Sequence, residues 1–419
     1  MAGHFGNRVR IWNGFVNLHV TNEYAPLEAV LVHRPGDEIE RLTHDNMRAF
    51  LFEDIPYLKR MRDEHDAFTA AMRDRGVQVV YLDQLLADVL RAGGEAKRRL
   101  ILKVCAAERN PGVVEDLLNE AQFPVDTLLS MLFQGITHAE FAERTGRRTQ
   151  TARPNQTFVL PPIPNAYFSR DPAVVIEGAV VSCKMHYGER VREAILVRSV
   201  LEDHPEFAGT PVLFGATSQP SEDRPYTIEG GDVIVLNGES VLVGTSERTR
   251  SETIEVLARK AFAGGVAKRF YEIPIPTERT FMHLDTVFTI VDQGLVVWYP
   301  GVMENLKFIH RYESDGSGGV HRVTEERNLE QILSDEFGKP LQVVRTGGGC
   351  EHYASREQRT DGTNILAIAP RVTCTYERNQ RTVAAMREAG IEVITIVGSE
   401  LVRGLGGPRC MTMPLRRRA

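Results

Sequence analysis

The sequence predicts an α/β protein assembled from four or five copies of a ββαβ unit, interrupted by a small all-helical insertion. Three observations carry this prediction. Hairpin-like segments recur along the chain, a pattern of helix end, glycine and strand repeats, and one block places its apolar residues at helical spacing. A unit with one apolar sheet face cannot bury that face alone. The copies are therefore expected to pack about a common axis as a propeller-like α/β barrel, and an ordinary doubly wound sheet is the other arrangement that the same signals permit.

Taken in order, Met72-Arg73-Asp74-Arg75-Gly76-Val77-Gln78-Val79-Val80 parallels Met386-Arg387-Glu388-Ala389-Gly390-Ile391-Glu392-Val393-Ile394. Each reads as the end of a helix, a glycine stop and a strand. DVIVLNGESVLVGTSERT, from Asp232, and NILAIAPRVTCTYERN, from Asn364, both read strand, tight turn, strand and helix start. Val287 to Trp298 is a third hairpin with Asp292-Gln293-Gly294 as its turn, and Ala173 to Cys183 is a fourth. Between Asp83 and Gly146 the apolar residues switch to helical spacing, broken by Gly93-Gly94 and Asn110-Pro111-Gly112, which predicts four or five helices. Residues 1–83 and 147–419 are accordingly assigned to the repeat-built body and 84–146 to the insertion. Asp315 to Gly349 is expected to form a second inserted loop.

Composition fits a globular enzyme or binding protein. Of 419 residues, 42% are apolar and 25% charged, with 35 Gly and 21 Pro, which disfavours disorder, collagen-like repeats and a long coiled coil. Fifty basic against 56 acidic residues give a net charge of -6, so bulk nucleic-acid binding is disfavoured. The basic run Arg416 to Arg418 reads as a solvated tail. MAGHFGNRVRIWNGFVNLHV lacks the continuous apolar core of a signal peptide, and no apolar run is long enough to span a membrane, so the protein is expected to be cytoplasmic.

The five cysteines, Cys105, Cys183, Cys350, Cys374 and Cys410, are odd in number and widely spaced, which fits neither a disulfide framework nor a zinc site. Cys183 and Cys374 lie in apolar strands and read as core thiols, whereas Cys350 follows three glycines and is expected in a mobile loop. HExxH, Walker, GxSxG and complete GxGxxG patterns are missing. What remains is a set of polar residues at strand ends: Asn165 and Arg170-Asp171 in PNAYFSRDP, Glu229-Gly230-Gly231-Asp232, His283-Leu284-Asp285 in MHLDT, and Cys410 in GGPRCMTMP. A cysteine nucleophile needs an acid/base partner, which a histidine supplies, and three neighbouring carboxylates suit a cationic substrate.

At these residues the sequence resembles the arginine deiminases of the guanidino-group-modifying, or amidinotransferase, superfamily. LEAVLVHRPGDEIERLT, FEDIPYL, EHDAF, PNAYFSRDP, EGGDVIVL, SERT, MHLDTVFT, DGTNILAIAP, YERN and GGPRCMTMP look like that family's blocks, in order and over nearly the whole chain. The resemblance implies a pseudo-fivefold, pentein-like α/β propeller with a helical insertion. It also implies hydrolysis of L-arginine to L-citrulline and ammonia without metal or cofactor, in an enzyme with a small-molecule substrate, no nucleic-acid or membrane partner, and a dimeric or tetrameric assembly. By that resemblance Cys410 is the nucleophile and His283 the acid and then the base. Asp171 and Asp285 grip the guanidinium, and Glu229 stands beside His283. Arg190 and Arg248 would clamp the substrate carboxylate, with Asn165 and Phe168 as further pocket residues.

The chemistry suits those residue types. A guanidinium presents five N–H donors in a plane and keeps its charge near neutral pH, so fixed carboxylates bind it bidentately. Fixed carboxylates also hold a nearby thiol neutral, while a bound cation favours its ionised form. Two departures from the family pattern stand out. Many members carry Arg-Gly-Arg-Gly-Gly before the nucleophile, where this chain reads Arg403-Gly404-Leu405-Gly406-Gly407, so one clamp arginine is missing. A lost charged hydrogen bond is worth roughly 1.5 to 3 kcal/mol, enough to raise KM. Arg359 stands where an aromatic residue is frequent. The alternatives are an amidinotransferase or hydrolase of another guanidino compound, since one thiouronium intermediate can pass to water or to an amine, and a non-catalytic arginine-binding relative.

Overall fold

Five sheets share one pairing pattern, in which a first strand runs antiparallel to a second and the second runs parallel to a third. A computed structural model describes residues 17–108, 111–118, 123–147, 157–215 and 226–418 of the chain. The N-terminal stretch on which the leader reading rests lies largely outside these residues, as does Asn110. In chain order of their second strands, the first sheet joins Met413–Arg417, Leu27–Val32 and Gln78–Tyr81. The next joins Ala173–Ile176, Ala179–Ser182 and Val212–Phe214, and the third Val233–Val235, Ser240–Thr245 and Arg269–Pro274. The fourth contains Phe288–Asp292, Leu295–Trp298 and Gln342–Arg345, and the fifth Leu366–Ala369, Val372–Tyr376 and Glu392–Ile396.

A parallel pair needs a crossover, and helices provide it. Leu58–Arg73, Val191–Asp203, Ser251–Ala263, Leu329–Phe337 and Gln380–Glu388 each lie between the second and third strands of a sheet. Ala173–Ile176, Ala179–Ser182, Val233–Val235 and Leu295–Trp298 are buried at every position, as expected of short Val- and Leu-rich strands covered on both faces. The repeated helix stop holds in both copies. Gly76 (φ +80°) and Gly390 (φ +77°) adopt the left-handed conformation, and the next amides, Val77 and Ile391, bond back to Met72 at 3.1 Å and Met386 at 3.0 Å. The pairings form five separate units instead of one continuous doubly wound sheet.

Among the described residues, the block between the first and second units contains five helices: Leu82–Ala92, Gly94–Ala107, Pro111–Leu118, Val125–Gln134 and His138–Thr145. Its apolar face is continuous with the sheet core, since Leu86, Leu100, Val104 and Leu132 share one cluster with Val174, Val181 and Met413. No helix among the described residues is long and apolar enough to cross a membrane.

Three sequence expectations are corrected. Asp315 to Gly349 is not an inserted loop. His310–Ser314 and Val320–Thr324 widen the third sheet, and Leu329–Phe337 and Gln342–Arg345 are the helix and last strand of the fourth. Arg417 is not solvated. It lies buried in the edge strand, where its guanidinium donates to the carbonyls of Ala25 at 2.6 Å and Ala367 at 2.8 Å. Cys350 is exposed, as a loop thiol would be, but it sits at the N-terminus of the helix Glu351–Gln358.

Candidate active site

Five polar side chains occupy equivalent places in the five units, each just ahead of the unit's first strand. Asp171 precedes Ala173–Ile176, Glu229 precedes Val233–Val235, His283 precedes Phe288–Asp292, Asn364 precedes Leu366–Ala369, and Cys410 precedes Met413–Arg417. Backbone bonds stitch these segments together. The Arg170 amide donates to the Cys410 carbonyl at 3.0 Å, and the Gly230 amide donates to the Asp171 carbonyl at 3.0 Å. Glycine is required where the segments meet: a Cβ on Gly231 would stand 2.5 Å from His283 Nδ1, and one on Gly407 would stand 2.5 Å from the Asn364 carbonyl. The Gly404 to Gly407 run thus accommodates protein neighbours.

His283 lies between two carboxylates. Its Nε2 is 2.8 Å from Glu229 Oε2, and its Nδ1 is 3.7 Å from Asp171 Oδ1. Burial disfavours the imidazolium, but Asp171 and the hydrogen bond to Glu229 outweigh it and raise the His283 pKa to about 9. The ring therefore holds a transferable proton at neutral pH. Glu229 stays well below the usual carboxylate range: burial opposes its ionisation, and Arg248 and the bond to His283 prevail. Arg248 Nη1 donates to Glu229 Oε2 at 3.1 Å, and the Glu229 Oε1 accepts the His186 amide at 2.9 Å. Arg190 donates to Asp171 Oδ2 at 2.7 Å and binds Glu193 through Nε and Nη2. Asp171, Glu193 and Glu229 are thereby set against Arg190, Arg248 and protonated His283, which lets so many charges remain buried.

Cys410 is held from the other side. Asn364 Nδ2 donates to its sulfur at 3.0 Å, and Asn364 Oδ1 accepts the Cys410 amide at 2.9 Å. The Sγ is 3.6 Å from Asp285 Oδ2, an oxygen that also accepts from Arg409 Nη1 at 2.8 Å. The second oxygens, Asp171 Oδ1 and Asp285 Oδ1, are buried without a hydrogen-bond partner. Each carboxylate thus spends one oxygen on a protein arginine and keeps the other without a donor, Asp171 standing beside His283 and Asp285 beside Cys410. Leaving such acceptors unmet costs roughly 1 to 3 kcal/mol each, more when charged, and a planar N–H donor entering here would satisfy both.

Burial pushes the Cys410 thiol well above its ordinary value, and Asp285 and Asp171 add to the rise. The free protein accordingly carries a neutral thiol. A bound guanidinium offsets those carboxylates, so ultraviolet thiolate absorbance, taken as the difference from Cys410→Ser, is expected to titrate at lower pH with a guanidino substrate analogue than without. Superimposable titrations would overturn this coupling.

Cys410, His283, Asp171, Glu229 and Asp285 lie in one cluster. Arg190 and Arg248 sit beside them, bonded to the site carboxylates. Asn165 is buried and donates to the Phe50 carbonyl at 2.8 Å, while Phe168 is buried against Tyr167, with ring centroids 3.9 Å apart. Asn364, Arg409 and Glu193 were not singled out by sequence reasoning. Asn364 stands in the DGTN run, whose turn-like composition concealed it. Asp171, Glu229 and His283 also place oxygen and nitrogen atoms within 4.8 Å of one another, a spacing open to a metal ion. Two guanidinium groups and the imidazolium proton already supply positive charge there, so a cation would have to displace them.

The arginine deiminase family model matches residues 48–417. An arginine deiminase of Listeria monocytogenes serotype 4a (strain HCC23) is 38% identical over 408 residues, covering 96% of this chain and 98% of that protein. One from Bacillus cytotoxicus is 38% identical over 414 residues with the same coverage. Among solved structures, an amidinotransferase from Microseira wollei in the saxitoxin biosynthetic pathway has a TM-score of 0.55 at 16% identity, covering 96% of this chain and 98% of its own. A DDAH from Pseudomonas aeruginosa has a TM-score of 0.51 at 12% identity, covering 93% and 99%. These two share the α/β fold. With the family model spanning most of the sequence and relatives this similar over nearly their whole length, the chain belongs to the arginine deiminase family.

Proposed function

We propose that this protein hydrolyses L-arginine to L-citrulline and ammonia through a covalent intermediate on Cys410. The observation that carries the reading is that Asp171, beside His283, and Asp285, beside Cys410, each keep one buried, donor-free oxygen. They suit the two terminal nitrogens of a guanidinium, whose charge would in turn ionise the thiol. The thiolate adds to the guanidinium carbon, and His283 passes its proton to the departing nitrogen as the C–N bond breaks and ammonia leaves. The neutral imidazole then takes a proton from water. The resulting hydroxide adds to the thiouronium carbon, and cleavage of the C–S bond returns the thiolate and leaves the ureido group once the hydroxyl proton passes to solvent. Glu229 keeps His283 protonated at the start of the cycle, and Arg190 and Arg248 hold the carboxylates in place. The five like units support a pseudo-fivefold propeller that gathers these residues at one end, with 84–146 as an insertion in a body of 1–83 and 147–419.

Purified protein given L-arginine is expected to release citrulline and ammonia in equal amounts. Absence of both products overturns the proposal.

A further inference from the structure

Next to the catalytic cluster lies a cavity of about 60 Å³ whose lining includes Glu53, Arg279, Met282, Arg359, Asp361 and Leu405. It adjoins the chemistry through three chain neighbours: Met282 precedes His283, Thr286 at its wall follows Asp285, and Leu405 lies in the glycine run leading to Cys410. Arg248, bonded to Glu229, also reaches Met282 Sδ at 3.4 Å. The two departures from the family pattern meet in this cavity. Leu405 offers an apolar wall where many relatives offer a guanidinium, and Arg359 brings a guanidinium to the same space.

Arg359 and Arg279 converge on one carboxylate. Arg359 Nη2 bonds to Glu53 Oε2, and Arg279 Nε is 3.4 Å from Glu53 Oε1 while its Nη2 donates to the Leu51 carbonyl at 2.7 Å. All three side chains are roughly half-exposed, so the carboxylate between the two guanidiniums is exchangeable with one from solution. The other acid in the lining, Asp361, is buried with an unpartnered Oδ2. Burial and the nearby Asp285 raise its pKa to about 8, so it adds little negative charge at neutral pH. Two guanidiniums thus share one half-exposed carboxylate at the cavity, and carboxylates with donor-free oxygens stand in the cluster behind it.

We propose that Arg359 and Arg279 bind the α-carboxylate of the substrate, with Arg359 supplying the contact that Leu405 does not and Glu53 holding the place of that carboxylate until substrate arrives. This rests on the arginine-hydrolysing reading and adds the residues that select an α-amino acid over a plain guanidino amine. Arg presents a planar fork suited to a carboxylate, which lysine does not reproduce.

The test compares L-arginine with agmatine, which has the guanidinium but no carboxylate. Arg359→Gln is expected to raise KM for L-arginine about 10- to 100-fold with kcat within about threefold, and to leave agmatine kinetics or binding unchanged. Arg359→Lys should recover only part of the loss. Glu53→Gln, which removes the internal competitor, should lower KM for L-arginine. An unchanged KM in Arg359→Gln, or equal losses for both ligands, overturns the proposal. If the unaltered protein releases no citrulline, the activity reading fails separately. Calorimetric binding of L-arginine and agmatine to the unaltered protein and Arg359→Gln then decides the carboxylate site by the same difference.

Discussion

Cys410→Ser is expected to lower citrulline formation by roughly 10⁴-fold or more while the protein stays folded and still binds L-arginine. Serine preserves the packing: its oxygen accepts the Asn364 Nδ2 bond that the sulfur now receives at 3.0 Å, and its amide keeps the 2.9 Å bond to Asn364 Oδ1. What changes is acidity. The same burial and carboxylates that raise the thiol would raise a hydroxyl from a far higher starting value, beyond what a bound cation recovers. No base stands ready to take its proton, because His283 is protonated and bonded to Glu229. The remaining thiols offer no substitute. Cys105, Cys183 and Cys374 are buried thiols that burial pushes above their ordinary pKa, Cys183 further still by Glu229 and Asp171, and Cys350 is exposed at the far end of the helix whose last turn reaches the cavity. Single-turnover citrulline release and calorimetric binding measure the two halves of the expectation. Turnover within tenfold of the unaltered protein would remove Cys410 from the nucleophile role.

How much of this could be read in the sequence depended on whether a signal was local. Four hairpins announced themselves because both strands and their turn fall within a few residues. The sheet around Leu27–Val32 did not, since its antiparallel partner Met413–Arg417 comes from the opposite end of the chain. Val320–Thr324 reads as loop because it is an edge strand with no fully buried position, and its sequence shows no apolar alternation of the kind that identifies strands. Arg417 reads as solvated because a run of charge ordinarily faces water, and only the fold shows that two backbone carbonyls await its guanidinium. In the site, Cys410, His283, Asp171, Glu229 and Asp285 were legible as candidates from residue type and family blocks. Asn364, Arg409 and Glu23 were not, because they act through partners tens or hundreds of residues away.

Those distant partners set the second large effect. Asp285 shares Arg409 with Glu23: Arg409 donates to Asp285 Oδ2 at 2.8 Å, to Glu23 Oε1 at 3.1 Å and to the Val233 carbonyl at 3.0 Å. Arg170 lies 3.5 Å from the same Glu23 oxygen, and Arg417 is buried close by. Burial resists the ionisation of Glu23, yet Arg409 and Arg170 hold its pKa at about 2. Asp285→Ala therefore leaves three buried guanidiniums facing one carboxylate, and is expected to cost about 3 to 5 kcal/mol of folding stability. Asp285→Asn separates stability from chemistry. Its carbonyl still accepts from Arg409, so the folding loss is smaller, but the acceptor offered to the substrate guanidinium is neutral and kcat/KM should fall by roughly 10³-fold. The thiol should respond in the opposite sense. Asp285 is the first charge raising the Cys410 pKa after burial itself, so in Asp285→Asn the thiolate should appear at lower pH in the free protein. A variant with a more acidic nucleophile and far lower activity would show that guanidinium binding, and not thiol acidity alone, limits the reaction. A thiolate titration unmoved by the substitution, or activity within tenfold, would refute the placement of Asp285 between nucleophile and substrate.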